Sequence, residues 1–248
     1  MNFKTIFILF FLIFQGKENI LEAQQQVIRL NRHYYEIAPE DSVNHTFNKL
    51  ISYTTDSTKI QRIFTLNNKI NRIIRTAKPK VDFQEQITEQ YNPAGNIQWK
   101  KTLNLVNGKF LTTYFFDQQQ VGQVLFEGGN NYFILKSGEE EPTLTYVNEF
   151  EPQLLNNKED WLNYVMNHFN FKPSELPKER QTIIAALFVD DQGKVSQVDW
   201  ANPLEADKKY ADRFLELVKN WNWQFLPAED AFGNTEGKWI TIPFNIGN

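Results

Sequence analysis

Between residues 50 and 135 short β-rich runs recur about every ten residues, and a polar turn closes each one. That rhythm constrains the chain more than any other feature. Strands at such intervals imply an antiparallel meander, since a parallel return needs a crossover of a dozen or more residues. The runs are 50–55, 59–66, 70–75, 97–103, 110–116, 121–126 and 132–135. The turns between them carry residues that tolerate positive φ: Asn67-Asn68, Pro93-Ala94-Gly95-Asn96, Asn107-Gly108 and Gly128-Gly129-Asn130. Aromatic residues make up 15% of the 248, enough to build sizeable cores in one or two domains. Residues 27–50 carry no firm pattern and read as strand or irregular.

The N-terminus has a different layout. Lys4 precedes about ten apolar residues, 5–14, and Ala23 stands before Gln24-Gln25-Gln26. This is the order of a cleavable secretory signal, predicted to span 1–23, with an uncleaved signal anchor as the alternative. The apolar run is short of the roughly 20 residues that span a bilayer. The chain has no cysteine, which excludes disulfides, thiolate metal sites and cysteine nucleophiles. An exported chain without disulfides fits the periplasm or cell envelope of a Gram-negative bacterium.

The grammar changes after residue 157. Residues 24–157 are charge-balanced, and residues 158–248 hold the whole net charge of −4. Glu139-Glu140-Glu141-Pro142 and residues 151–157 read as surface loop and linker. Asn156-Asn157 offers a helix cap, and Trp161, Leu162, Val165, Met166 and Phe169 follow at helical spacing. Residues 182–189 are a β run without alternation, the mark of burial on both faces. Asp190-Asp191-Gln192-Gly193-Lys194 turns the chain into a second strand, 195–201. Ala206, Tyr210, Phe214, Leu217 and Trp221 then mark an amphipathic helix. The last run, 238–246, contains Pro243, which cannot donate a ladder hydrogen bond. The final strand is therefore expected at a sheet edge.

Phe188-Val189-Asp190-Asp191-Gln192-Gly193-Lys194-Val195, Trp223-Gln224-Phe225-Leu226-Pro227-Ala228 and Thr241-Ile242-Pro243-Phe244, in this order, resemble the C-terminal domain of the TonB family over about residues 160–248. The chain departs from the family in lacking a clear Tyr-Pro phrase upstream and a long Pro-rich spacer. The phrases Tyr91 to Trp99 and Tyr114 to Phe126 resemble, more loosely, the hairpin repeats of MORN and YwqK-like proteins, and a plain β-sheet accounts for them equally. These readings predict an α+β chain. An N-terminal antiparallel β-meander domain, 24–157, is followed by a TonB-like domain, 158–248, with a three-stranded antiparallel sheet covered by helices.

The TonB resemblance implies a protein partner, an outer-membrane receptor or another envelope protein, recognised by strand addition and linked to TonB-dependent transport. The expected binding residues are Trp239, Ile240, Thr241, Ile242, Pro243 and Phe244, and the same edge permits a homodimer. The alternative is a structural or scaffold protein of the envelope, in which the meander carries the binding through an aromatic cluster of Trp99, Tyr114 and Phe116. An enzyme is not expected. There is no Gly-x-Ser-x-Gly, no His-Glu-x-x-His and no Gly-rich phosphate loop, and Asp190-Asp191 reads as a turn. No catalytic residue, metal ligand or cofactor is assigned. The acidic C-terminal region argues against a nucleic-acid partner, and a membrane enters only if the N-terminal segment stays uncleaved.

Overall fold

The structure, a computed structural model, describes residues 27–247; the segment read as a signal, 1–23, lies outside the described residues. Ten strands pair in sequence order, each antiparallel to the next, in one sheet. They are β1 (Ile28–Leu30), β2 (Phe47–Tyr53), β3 (Lys59–Thr65), β4 (Ile70–Thr76), β5 (Glu85–Tyr91), β6 (Ile97–Asn104), β7 (Phe110–Phe116), β8 (Gln119–Gly128), β9 (Asn131–Leu135) and β10 (Thr143–Thr145). Asn68, Gly95 and Gly108 all take positive φ at the turns, as a tight return requires. The register places Trp99, Tyr114 and Gly122 side by side on one face. Lys101, Thr112, Val124 and Ile134 form the next row of that face.

The remaining elements are β11 (Gln153–Leu154), α1 (Lys158–His168), β12 (Gln181–Val189), β13 (Val195–Trp200), α2 (Lys208–Asn220), β14 (Phe225–Leu226), β15 (Ala228–Glu229), β16 (Thr235–Glu236) and β17 (Lys238–Ile246). Asn157 caps α1, its Oδ1 accepting from the Glu159 N–H at 2.8 Å. β13, β12 and β17 form a three-stranded antiparallel sheet in that order. Along α2, Tyr210, Ala211, Phe214, Leu217 and Val218 are all buried. Phe214 stacks on Phe244 of β17 with ring centroids 4.6 Å apart. Burying a side chain of that size contributes roughly 2–3 kcal/mol.

The expected α+β fold class is corrected. Among the described residues the chain is mostly β, with 45% in strands and 12% helical, and its dominant unit is the ten-stranded sheet. α1 and α2, of 11 and 13 residues, are the only two α-helices among the described residues. The arrangement is also not one of helices jointly covering a small sheet: α2 lies against β12 and β13, whereas α1 packs on α2. The physical reason is extent. A helical stripe is a strong signal per residue, but fold class follows from how much chain each pattern governs, and the β rhythm governs 47–145.

β12 is covered on both faces by different parts of the chain. Ile183, Ala185 and Leu187 turn toward the core with α2, and Ala186, on the other face, is equally inaccessible. Residues 31–33, which follow β1, lie against that second face. Asn31 Nδ2 donates to the Ala201 carbonyl at 2.7 Å, and the His33 ring sits edge-on to Trp239 at 4.6 Å.

The stretch after β10 is held closely too. Phe150 is fully buried with Val124, Ile134 and Ala231 in a second core on the meander's inner face. β11 pairs with β14, and Asn156 Oδ1 accepts from the Gln224 N–H at 2.7 Å.

Candidate functional site

β17 is an edge strand, hydrogen-bonded only to β12 among the described residues. The direction of its backbone groups follows from Ile184. That residue's N–H donates to Asn202 Oδ1 at 2.7 Å and its carbonyl accepts from the Ala201 N–H at 2.8 Å, so both groups face β13. Its register partner on β17, Pro243, therefore sits in a non-hydrogen-bonded pair, with its donor-free nitrogen turned away from β12. By the strand period of two, Trp239, Thr241, Pro243 and Asn245 present backbone groups to the open edge, and Ile240, Ile242 and Phe244 bond to β12.

The predicted binding residues thus divide. Ile240, Ile242 and Phe244 pack in the core with α2. Thr241 and Pro243 are exposed, while Trp239 is half-buried against His33 and Phe188. The His33 Nε2 lies 2.8 Å from Asp199 Oδ2, and the Arg32 guanidinium is 3.4 Å from the same oxygen and 5.7 Å from the Trp239 ring. Burial holds the His33 pKa below its ordinary value, against the opposing pull of Asp199.

A cleft of about 990 Å³ opens between β6–β8 and residues 148–151 and 230–239. Trp99, Tyr114 and Phe116, the aromatic cluster read from the sequence, all line it. Tyr114 stacks on Phe150 at 4.4 Å, and Phe116 meets Phe232 edge to face at 5.6 Å. Phe116 and Phe232 are 59% and 51% exposed, so they form the rim. Behind two of the lining residues stands Gly122, where an added Cβ would lie 2.9 Å from the Ala231 Cβ and 3.3 Å from the Phe150 ring.

Five charged residues line this space: Lys101, Glu151, Asp230, Glu236 and Lys238. Lys238 Nζ donates to the Phe150 carbonyl at 2.6 Å and pairs with Glu236 at 3.0 Å. Lys101 Nζ lies 3.9 Å from the centre of the Phe110 ring, with no carboxylate in ion-pair contact among the described residues. The Glu151 carboxylate likewise accepts no hydrogen bond and makes no ion pair among the described residues. Reduced hydration lowers the Lys101 pKa and raises that of Glu151, with Lys238 and Lys101 opposing the rise. Glu151 is exposed where it lines the open cleft. Burial, with Glu151 and Glu236 nearby, pushes the Tyr114 phenol well above its ordinary pKa.

Lys101 and Glu151 belong to no motif in the sequence. Lys101 shares a strand face with Trp99, a period-two signal visible in Trp99-Lys100-Lys101. Glu151 lies in a stretch whose composition reads as linker. Among the described residues no cluster of His, Asp or Glu is placed to hold a metal ion, and no helix is long and apolar enough to cross a membrane. Comparison of the chain with family models, curated proteins and solved structures returns no match.

Proposed function

We propose that this chain is an exported protein of a Gram-negative envelope that binds protein partners by taking an extended segment as an added strand on the outer edge of β17. The observation that carries this reading is the unpaired edge of β17, with backbone groups of Thr241, Pro243 and Asn245 facing outward and their side chains exposed. The sequence phrases at 223–228 and 241–244 support it through their resemblance to the TonB family, and on that resemblance the partner is an outer-membrane receptor or another envelope protein. Main-chain hydrogen bonds supply the affinity, and the side chains beside the edge select the partner.

The register supplies a paired test. The Thr241 N–H points outward, so Thr241→Pro removes an edge donor and leaves the β12–β17 ladder intact. The Ile242 N–H points to β12, so Ile242→Pro breaks the ladder and lowers the thermal midpoint. A photo-crosslinker at position 245, in the producing cell, is expected to yield an envelope-protein adduct that Thr241→Pro abolishes with its circular dichroism unchanged. An adduct of twice the chain mass makes the partner a second copy. The reading fails if position 245 gives no adduct, gives the same adducts as the remote exposed position 43, or gives adducts confined to the cytosol.

A second reading assigns the binding to the meander, and one observation favours it: Trp99, Tyr114 and Phe116 open into a common cleft. In that case Trp99→Ala and Phe116→Ala reduce partner capture, and Thr241→Pro does not.

A further inference from the structure

The charges inside the cleft are unequal in what they already touch. Lys238 and Glu236 satisfy one another, and Asp230 Oδ1 accepts from the backbone N–H groups of Phe232 and Asn234 in its own turn. Lys101 and Glu151 remain. They feel one another electrostatically but do not come within ion-pair distance. Lys101 is partly buried over the Phe110 ring and Glu151 is exposed, and neither has an ion-pair partner among the described residues, so each is open to a ligand group of opposite charge. Aromatic residues line the same cleft: Trp99, Phe110, Tyr114, Phe150 and Trp239.

A simple anion on Lys101 would be repelled by Glu151, which lines the same cleft. A simple cation on Glu151 would likewise be repelled by Lys101. A neutral ligand, a sugar for instance, would leave both charges without partners. A molecule carrying one charge of each sign, joined by an apolar body, matches both groups and the aromatic lining together.

We infer that the cleft binds a small zwitterion with an aromatic or branched apolar body, the chemistry of a free amino acid or a short peptide, with its carboxylate on Lys101 and its ammonium on Glu151. The volume lies at the upper end of small-ligand pockets, so a peptide of a few residues fills it better than a single amino acid does. The Tyr114 hydroxyl, which makes no hydrogen bond among the described residues, supplies a donor and acceptor beside the ligand's backbone. This site is separate from strand addition on β17, although Lys238 and Trp239 border both.

Calorimetric titration of the full mature chain tests the assignment. The probes are leucyl-phenylalanine, its N-acetyl form, its C-terminal amide and free phenylalanine. The free dipeptide is expected to bind, and blocking either end should weaken it about tenfold or more, the worth of one charge-assisted contact. Lys101→Met should erase the penalty for amidation, and Glu151→Gln the penalty for acetylation. Lys101→Arg should keep the amidation penalty. Tighter binding of phenylalanine than of dipeptide makes the source a free amino acid, and the reverse makes it a peptide. The inference is overturned if no probe binds at millimolar concentration, or if free and blocked dipeptides bind the unmutated chain equally. The blocked-ligand series needs no variant, so a folding defect in either substitution leaves the test standing. Thr241→Pro should not change any of these affinities, which separates failure here from failure of strand addition.

Discussion

Two glycines with the same sign of φ have different meanings. Gly193 takes φ +79°, and an added Cβ would stand 2.1 Å from the Phe225 carbonyl oxygen. Gly95 takes φ +88° with nothing within 4 Å. Gly193→Ala should therefore cost on the order of 2–4 kcal/mol, backbone strain plus overpacking, and Gly95→Ala only about 1–2 kcal/mol. Denaturant midpoints of the two variants measure the difference, and equal losses would mean the β12–β13 turn yields freely to Phe225.

His33 gives the residue scale a pH dependence. Its folded pKa is depressed, first by burial, below the ordinary 6.5. The unfolded chain then takes up a proton before the folded one does, so His33's contribution is fully present above about pH 6.5 and is lost as pH falls through the folded value. Thermal midpoints at pH 7.5 and 5 should fall less for His33→Gln than for the unmutated chain. An equal or larger fall in the variant would assign the acid sensitivity to other groups.

At the scale of elements, β12 and β17 show what local pattern conveys and what it leaves out. The unalternating 182–189 run announces a strand covered twice, and the structure identifies the two covers as α2 and residues 31–33. Pro243 announces an edge, and Asn202 explains which way that edge faces. Asn202 reads in sequence as a strand breaker. In the fold it is buried, accepts from the Ile184 N–H and donates to the Thr182 carbonyl and Glu205. Those bonds turn Ile184 toward β13 and so leave the outward groups of Thr241 and Pro243 open. The contrast between Thr241→Pro and Ile242→Pro is a prediction of this register and of nothing else in the chain.

For the whole molecule, the decisive contact is between the meander and the segments that leave and rejoin it. Gly122 admits Ala231 and Phe150 to the inner face of β8. Lys136 bridges Glu149 and Glu229, and the Glu229 N–H donates to the Glu149 carbonyl. Gly122→Val should force these layers apart at a cost of roughly 1–3 kcal/mol. It should also speed amide exchange at Ser137 and Glu229, whose N–H groups donate to the Ala231 and Glu149 carbonyls. Unchanged exchange at both amides would show that these layers are not held together at Gly122.

Much of the strand and turn pattern is legible in the chain because those features are local. A positive φ at Asn68 or Gly108, a period of two through 110–116 and a helical stripe from Tyr210 to Leu217 each depend on a handful of neighbouring residues. β5 and β10 are not directly legible, since Glu85–Tyr91 is largely polar and Thr143–Thr145 is only three residues long. The helical stripes announced two helices, but not how small a share of the molecule they would be. The candidate cleft was legible only as three aromatic residues. Its character depends on Phe150, Glu151 and residues 230–239, which compositional reading places in linker and turns. What joins them is contact across large sequence separation, as between Asn31 and Ala201. Dihedral preference and side-chain period belong to the sequence alone. Which face is covered, which edge stays open and which charges lack a partner are settled only when distant segments compete for the same apolar surface.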